Sequence, residues 1–127
     1  MTHVPATFDA FRIHDDAAGY RSGIERIALD DLAQGEVVVR AVYSSVNYKD
    51  ALAGTGKGKI LRKAPLVGGI DVAGYVVAST DARYKEGDAV LATGSGLSET
   101  RDGGYSEYVR LPAQWTIPLP KGLTLRE

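Results

Sequence analysis

The side chains best suited to chemistry follow one another where a predicted strand gives way to a predicted helix, in the segment SSVNYKD at 44–50. They are the amide of Asn47, the phenol of Tyr48, the ammonium group of Lys49 and the carboxylate of Asp50. Segments at the ends of rigid elements often carry binding and catalytic residues. A structural interpretation stands beside this one, in which Asn47 caps the helix, Tyr48 packs half-buried and Lys49 with Asp50 forms a solvated first turn.

Two glycine-rich segments are similar to nucleotide-binding motifs without matching them. The segment GTGKGK at 54–59 contains the Gly-Lys pair of a phosphate loop at Gly56 and Lys57. Such a loop would begin with glycine five residues earlier, where this chain has Ala51, and would have Ser or Thr for magnesium where this chain has Gly58. The segment GSGLSE at 94–99 lacks the third glycine of a dinucleotide fingerprint, and no predicted helix follows it. We therefore expect neither motif in this chain.

Composition excludes further classes of function. The chain has no cysteine, which excludes disulfides, thiolate nucleophiles and cysteine-ligated zinc. His3 and His14 lie near the N-terminus without a second ligand cluster or a nucleophile motif, so neither a metal site nor serine hydrolysis is expected. A net charge of -1 argues against nucleic acid as a partner. We find no signal peptide and no apolar run long enough for the membrane, so we expect a cytoplasmic protein.

The elements that must position the candidate residues follow from alternating apolar and polar residues, which predict a mainly β chain with short helices. Fifteen glycines supply turns between short strands, a pattern typical of an antiparallel barrel or sandwich. The long strand at 36–46 is expected to be covered on both faces, and the helix at 47–53 is expected to end at Gly54. The other predicted strands are 8–13, 72–78, 89–92 and 105–111.

The last residues resemble the start of another element. Thr124 and Glu127 have the spacing of a capping box, which opens a helix. Pro118 and Pro120 before them are typical of a linker between domains. We therefore expect residues 1–127 to be one domain of a longer protein, the alternative being a chance match at a frayed terminus.

Seven segments, in this order and spacing, resemble one zinc-free branch of the medium-chain dehydrogenase/reductase superfamily, which contains acrylyl-CoA reductases and quinone oxidoreductases. The resemblance implies a GroES-like β-barrel domain on the substrate side, followed in full-length members by a Rossmann domain that is absent from this chain. The segments are SSVNYKDALA at 44–53, TGKGKI at 55–60, GIDVAG at 69–74, GDAVL at 87–91, TGSG at 93–96, GGYSE at 103–107 and PKGL at 120–123.

The resemblance also implies a reaction, in which NADPH reduces the activated C=C bond of an enoyl-CoA, or a quinone, and polar groups stabilise the resulting enolate. Asn47 would contact the nicotinamide side of the cofactor, and Tyr48 would donate to the oxyanion or relay a proton. Asp50 would orient the cluster, and Thr93 would line the cleft. Lys49 would either pair with a phosphate of CoA or cofactor, or be solvated.

Zinc-dependent members of the superfamily place their ligands at positions that differ here. Asn47 aligns with their cysteine ligand, and Gly69-Ile70-Asp71 with their Gly-His-Glu. Their four-cysteine structural lobe has no counterpart between Leu91 and Gly103. The resemblance therefore implies zinc independence. Gly68 departs from the branch, which usually has proline there, and this leaves the local turn less rigid.

A second hypothesis is a stand-alone GroES-like binding or interaction module, since fold does not fix function. Co-chaperonins of this fold use a mobile apolar loop, whereas residues 54–63 are rich in glycine and lysine. We favour the reductase domain and expect the isolated chain to be inactive. Full-length relatives are commonly dimeric, and the oligomeric state of this chain is left open.

Overall fold

The computed structural model describes residues 4–56, 65–94 and 96–126. Within them the chain forms eight strands, one α-helix and two short 3-10 helices, which confirms the mainly β prediction. No helix in this part of the chain is long and apolar enough to cross a membrane. The elements are β1 (Phe8–Asp16), β2 (Gly19–Ile27), a 3-10 helix (Leu29–Asp31), β3 (Val37–Tyr43), α1 (Tyr48–Thr55), β4 (Leu66–Val67), β5 (Asp71–Ser79), β6 (Ala89–Thr93), β7 (Tyr108–Leu111), a second 3-10 helix (Ala113–Trp115) and β8 (Ile117–Pro118).

The strands form two antiparallel sheets rather than one continuous closed ladder. One sheet has the order β2-β1-β4, and the other has the order β7-β3-β5-β6-β8. The sheets meet where Ala10 of β1 bridges to Ser106, and where the Phe11 N–H donates to the Tyr105 carbonyl at 2.7 Å. The segment that leads into β7 therefore belongs to the border between the sheets.

Two groups of buried apolar side chains stabilise this arrangement. Strand side chains alternate between faces, so alternate residues of a strand can enter one core. The larger group lies on the five-stranded sheet and includes Val37, Val39, Val72, Val76, Val90, Ala92, Val109 and Leu111. The smaller group lies on the three-stranded sheet and comprises Phe8, Ala10, Ile27, Leu32 and Val67.

The long predicted strand is covered on both faces only in its first half. Val37, Val38 and Val39 are buried, whereas Val42 and Tyr43 are exposed, which corrects the expectation for 36–46. The physical reason is the extent of the core, because the larger buried group includes Val37 and Val39 and reaches along β3 only as far as the partly buried Ala41. The exposed end of β3 leads directly into the candidate residues.

Several predicted boundaries are also corrected. The helix continues past Gly54 to Thr55, because Gly56 with φ of 74° adopts the left-handed conformation that ends it. Strand β7 starts at Tyr108 rather than at 105, and β2, β4 and β8 have no counterpart among the predicted strands. Residues 57–64, which contain the second half of the phosphate-loop-like segment, lie outside the described residues. His3 and, in the proposed capping box, Glu127 lie outside them as well.

The β1–β2 hairpin holds the C-terminal end of α1. The Tyr20 hydroxyl donates to the Ala53 carbonyl, and Ser22 Oγ donates to the Gly54 carbonyl at 2.7 Å. Carbonyl groups in the last turn of a helix have no partner within the helix, so these two donors satisfy groups that would otherwise need water. The hairpin thus fixes the helix whose first turn carries the candidate residues.

The backbone segment before β7 lies very close to the backbone segment at the start of β5. A Cβ atom at Gly103 would lie 1.8 Å from the Gly69 carbonyl oxygen, and one at Gly104 would lie 1.9 Å from the Asp71 carbonyl oxygen. The Gly104 N–H donates to the Gly69 carbonyl at 3.1 Å. Only glycine fits at these two positions without displacing backbone.

We predict that Gly104→Ala destabilises the protein by about 3 kcal/mol or more, because the new methyl group would overlap the Asp71 carbonyl. Urea unfolding measures the change. Gly23→Ala in β2 is the matched control, since a Cβ there meets none of the described atoms within 4 Å and should change stability by less than about 1 kcal/mol. Equal stability of the two variants would contradict the packing described above.

Candidate active site at the junction of β3 and α1

The segment between β3 and α1 is held by the carboxylate of Asp71, the first residue of β5. Ser45 donates its N–H to Asp71 Oδ1 at 2.8 Å and its hydroxyl to Oδ2. Ser44 Oγ donates to the Asp71 carbonyl at 2.7 Å and lies 3.3 Å from Oδ1. Hydrogen bonds to a charged acceptor are stronger than neutral ones, so this carboxylate fixes the path of the chain into the helix.

The first turn of α1 is organised by Asp50. Its Oδ2 accepts the Asn47 backbone N–H at 2.8 Å and lies 3.3 Å from Asn47 Nδ2. The same Nδ2 donates to Ser45 Oγ at 2.8 Å. Asp50 is only 9% exposed, and its Oδ1 is buried without a hydrogen-bond partner among the described residues. Asp50 therefore holds Asn47 through these hydrogen bonds, and its role in a reaction stays a prediction.

The side chains of Tyr48 and Lys49 differ in their surroundings: Tyr48 faces solvent, and Lys49 forms an ion pair. Tyr48 is 81% exposed, so it is not the half-buried packing residue of the structural interpretation. Lys49 Nζ lies 2.7 Å from Glu99 Oε1, and both side chains are partly covered. Lys49 therefore forms a partly exposed ion pair, which is weak enough that its pairing with a phosphate stays a prediction.

Tyr105 is a member of this cluster that the site predictions do not contain. Its hydroxyl donates to the Ser45 carbonyl at 2.8 Å. Burial, followed by the neighbouring carboxylates of Asp50 and Asp71, raises the pKa of Tyr105 well above that of an ordinary tyrosine. The only signal in the sequence is its position after Gly103 and Gly104, and this does not reveal which residues it contacts.

A cleft of about 440 Å³ opens beside the junction, a volume within the range of small-molecule pockets. Thr93 lines it together with Ser44, Ser45 and Asp71, and the contact of Thr93 with a cofactor stays a prediction. Asn47, Tyr48 and Asp50 are next to this wall but are not part of it. The remaining lining is mainly apolar: Tyr43, Val72, Ala73, Leu91, Ala92, Leu119, Pro120, Leu123, Thr124, Leu125 and Arg126.

Potential metal ligands are not grouped in the part of the chain that the structure describes, where no three His, Cys, Asp or Glu side chains are placed to hold an ion. His14 instead lies 2.5 Å from Glu25, through Nε2 and Oε2. The Asp71 carboxylate is engaged by Ser44 and Ser45.

Comparison with known proteins places the site in a family context. The profile of the alcohol dehydrogenase GroES-like domain matches residues 33–121. Acrylyl-CoA reductase AcuI of Ruegeria pomeroyi is 43% identical over 113 residues, which are 89% of this chain and 34% of that protein. YhfP of Bacillus subtilis, named as a candidate quinone oxidoreductase, is 44% identical over 120 residues, which are 94% of this chain and 36% of YhfP.

Solved structures agree with these matches. The yhdH oxidoreductase from Salmonella enterica in complex with NADP superimposes with a TM-score of 0.88 at 42% identity, over 93% of this chain and 36% of that one. Escherichia coli YHDH with bound NADPH gives a TM-score of 0.87 at 40% identity, over 92% and 36%. The chain spans about a third of the length of the relatives it matches. The GroES-like fold class predicted from the sequence is confirmed.

We predict that Asp71→Asn destabilises the protein by about 1–3 kcal/mol, because the charged acceptor of the two serines is lost. The same substitution should accelerate hydrogen exchange of the Ser45 backbone amide, whose N–H donates to Asp71 Oδ1. NMR measures this exchange. Asp30→Asn is the control, since Asp30 is exposed and surface substitutions usually change stability by no more than about 0.5 kcal/mol. Unchanged protection at Ser45 would show that Asp71 does not hold the segment.

The raised pKa of Tyr105 predicts a dependence on alkaline pH. The folded state favours the protonated phenol, so the resulting stabilisation is complete below the unfolded tyrosine pKa of about 10 and is lost as the pH rises through the folded pKa. The free energy of unfolding of the wild type, relative to Tyr105→Phe, should therefore be constant from pH 7 to 9 and fall above pH 10. Urea unfolding across this range tests it, and a constant difference up to pH 11 would be the contrary result.

Proposed function

Because the chain belongs to the alcohol dehydrogenase GroES-like domain family, within the medium-chain dehydrogenase/reductase superfamily, we propose that it is the substrate-side domain of an NADPH-dependent reductase. The substrate is an activated C=C bond in an enoyl thioester of the acrylyl-CoA type, with a quinone as the second candidate. The name of AcuI, an acrylyl-CoA reductase, supports the enoyl thioester, and the name of YhfP supports the quinone. The dinucleotide-binding half would lie outside these 127 residues, so the chain alone would not turn over NADPH.

The observation that carries the proposal is the geometry of the first turn of α1. Asn47 is fixed by Asp50 and Ser45, while the adjacent Tyr48 presents its phenol to solvent. An exposed, unburied aromatic side chain next to a rigid polar cluster has little value for folding, since it removes almost no apolar surface from water. It is well placed to meet a bound substrate.

The cleft beside Asn47 fits part of a nicotinamide cofactor, because it combines an apolar wall with the hydroxyl groups of Thr93, Ser44 and Ser45. Asn47 and Thr93 would contact the nicotinamide side. NADPH supplies the hydride when bound. The Asp50 carboxylate keeps the Asn47 amide in place, and neither residue has to move during the reaction.

Tyr48 acts at the oxygen of the activated group in this proposal. Its O–H donates to the carbonyl oxygen, where negative charge develops as the double bond is reduced. A phenol keeps its proton at neutral pH and is therefore a donor rather than an acceptor there. Donation to a developing oxyanion, or transfer of the proton, is typically worth ~10²–10⁴ in rate.

Zinc independence is also part of the proposal. The position that aligns with a cysteine ligand is Asn47, whose Nδ2 already donates to Ser45 Oγ. Ile70 stands where the zinc-dependent sequences have histidine, and the Asp71 carboxylate is engaged by the serines. These positions therefore carry no thiolate or imidazole to bind zinc, and the one carboxylate among them already accepts hydrogen bonds.

We predict that a chimera, in which this chain replaces the corresponding third of Ruegeria AcuI, oxidises NADPH in the presence of acrylyl-CoA or a quinone. Tyr48→Phe in the chimera should lower kcat by ~10²–10⁴. Absorbance at 340 nm follows the reaction. Tyr75→Phe is the matched control, because Tyr75 is also an exposed tyrosine but lies in β5 with its ring against Arg40, and it should change kcat less than about twofold.

Two results would contradict the proposal. The first is full activity of the Tyr48→Phe chimera, which would remove the phenol from the reaction. The second is appreciable NADPH turnover by the 127-residue chain alone, which would show that no second half is needed.

A further inference from the structure

The side chain of Asn47 is held through its nitrogen atom. Nδ2 donates to Ser45 Oγ at 2.8 Å and to Asp50 Oδ2 at 3.3 Å. A primary amide carries two hydrogens on its nitrogen, whereas its oxygen can only accept. Each hydrogen of the Asn47 amide therefore has an acceptor within the protein, and the nitrogen has no third hydrogen for a ligand.

The same two acceptors exclude the reverse orientation of the amide. The Asp50 carboxylate can only accept hydrogen bonds. The Ser45 hydroxyl has a single hydrogen, which it donates to Asp71 Oδ2. If the amide were turned by 180°, its oxygen would face these two groups and would receive a hydrogen from neither. Asn47 therefore keeps its nitrogen towards the protein.

The position of the Ser45 hydroxyl is set by contacts of its backbone. The Ser45 N–H donates to Asp71 Oδ1 at 2.8 Å, and the Ser45 carbonyl accepts from the Tyr105 hydroxyl at 2.8 Å. These contacts hold the residue on both sides, so its hydroxyl lies between Asp71 and Asn47. The Ser44 hydroxyl differs, because it donates to the Asp71 carbonyl and has no hydrogen bond to Asn47.

We propose that Ser45 is a positioning residue, whose hydroxyl fixes the Asn47 amide with the nitrogen inward and leaves the oxygen for a ligand. Asn47 is exposed, so a ligand can approach it. The ligand group that fits Asn47 Oδ1 is a hydrogen-bond donor. The carbonyl oxygen of an enoyl thioester or of a quinone is an acceptor and does not fit there.

The donor that the proposed function supplies is the carboxamide of the nicotinamide ring, whose NH2 group carries two hydrogens. The adjacent Tyr48 donates through its phenol, so it suits the acceptor oxygen of the substrate. Asn47 and Tyr48 thus have opposite hydrogen-bonding roles towards cofactor and substrate. This assignment of the ligand rests on the proposed function, whereas the orientation of the amide rests only on the hydrogen bonds around it.

Hydrogen exchange of the Asn47 Nδ2 hydrogens tests the orientation, and 15N NMR on the full chain measures it. Gln114 is the internal reference, because its side chain is exposed and has no hydrogen bond within the described residues. We expect the Asn47 side-chain hydrogens to exchange on the order of tenfold more slowly than those of Gln114, as for about one hydrogen bond each. Equal rates would overturn the proposal.

Comparing Ser45→Ala with Ser44→Ala identifies the residue responsible. Each substitution removes a serine hydroxyl from Asp71, but only Ser45→Ala also removes an acceptor of Asn47 Nδ2. Exchange of the Nδ2 hydrogens should accelerate on the order of tenfold in Ser45→Ala and less than about twofold in Ser44→Ala. Ser45→Thr keeps the hydroxyl and should stay within about twofold of the wild type.

Equal exchange in the two alanine variants would overturn the role of Ser45. If Ser45→Ala does not fold, the exchange rates of Asn47 and Gln114 in the wild type decide whether the amide nitrogen is held.

The chimera with AcuI tests the ligand. The 3-acetylpyridine analogue of NADPH keeps the carbonyl of the carboxamide but has a methyl group in place of NH2. The ratio of kcat/KM with NADPH to kcat/KM with the analogue should fall on the order of tenfold in Asn47→Ala, because the acceptor that distinguishes the two cofactors is lost. Tyr48→Phe should slow the reaction with both cofactors and leave this ratio within about twofold.

An unchanged ratio in Asn47→Ala would overturn the nicotinamide carboxamide as the donor. An inactive wild-type chimera would instead count against the proposed function, and the exchange measurements would still decide whether Ser45 fixes the amide of Asn47.

Discussion

The candidate site depends on one place where two backbones meet without a side chain between them. Gly103 and Gly104 pass so close to Gly69 and Asp71 that a methyl group at either glycine would fall within 2 Å of a carbonyl oxygen. This contact brings the segment before β7 to the start of β5. Asp71 can then face the serines, and Tyr105 can reach Ser45 from the opposite side. The glycines thus determine the site without entering it.

Hydrogen bonds to two carboxylates restrain this junction. Asp71 holds Ser44 and Ser45, and Asp50 holds Asn47, so the chain is restrained immediately before and within the first turn of α1. The β1–β2 hairpin restrains the other end of the same helix. A short helix of eight residues would be marginal in isolation, and these external contacts explain why it forms here. The resulting rigidity suits a site that must place an amide and a phenol accurately.

The sequence predicts the local part of this structure well. Alternating residues identify the central strands, and the polar run at 44–50 identifies the helix start, because both signals are read from neighbours in the chain. The sequence does not predict β2, because this edge strand is mostly exposed and contains two glycines. Apolar and polar residues therefore alternate only weakly along it. Tyr105 contacts Ser45 across 60 residues, and Lys49 contacts Glu99 across 50, so no local pattern shows either pair. The sequence therefore predicts which segment carries the site, but it does not predict which distant residues contact that segment.

The most direct measurement of the central claim is isotope transfer. NADPH with deuterium at both C4 positions of the nicotinamide, so that either face transfers the label, would be incubated with acrylyl-CoA and the chimera that joins this chain to the remainder of AcuI. The product would be analysed by NMR and mass spectrometry. We expect one deuterium at the β-carbon of propionyl-CoA and a solvent proton at the α-carbon, with no added metal required. Product without deuterium at the β-carbon, or a reaction that stops when a chelator is added, would contradict it.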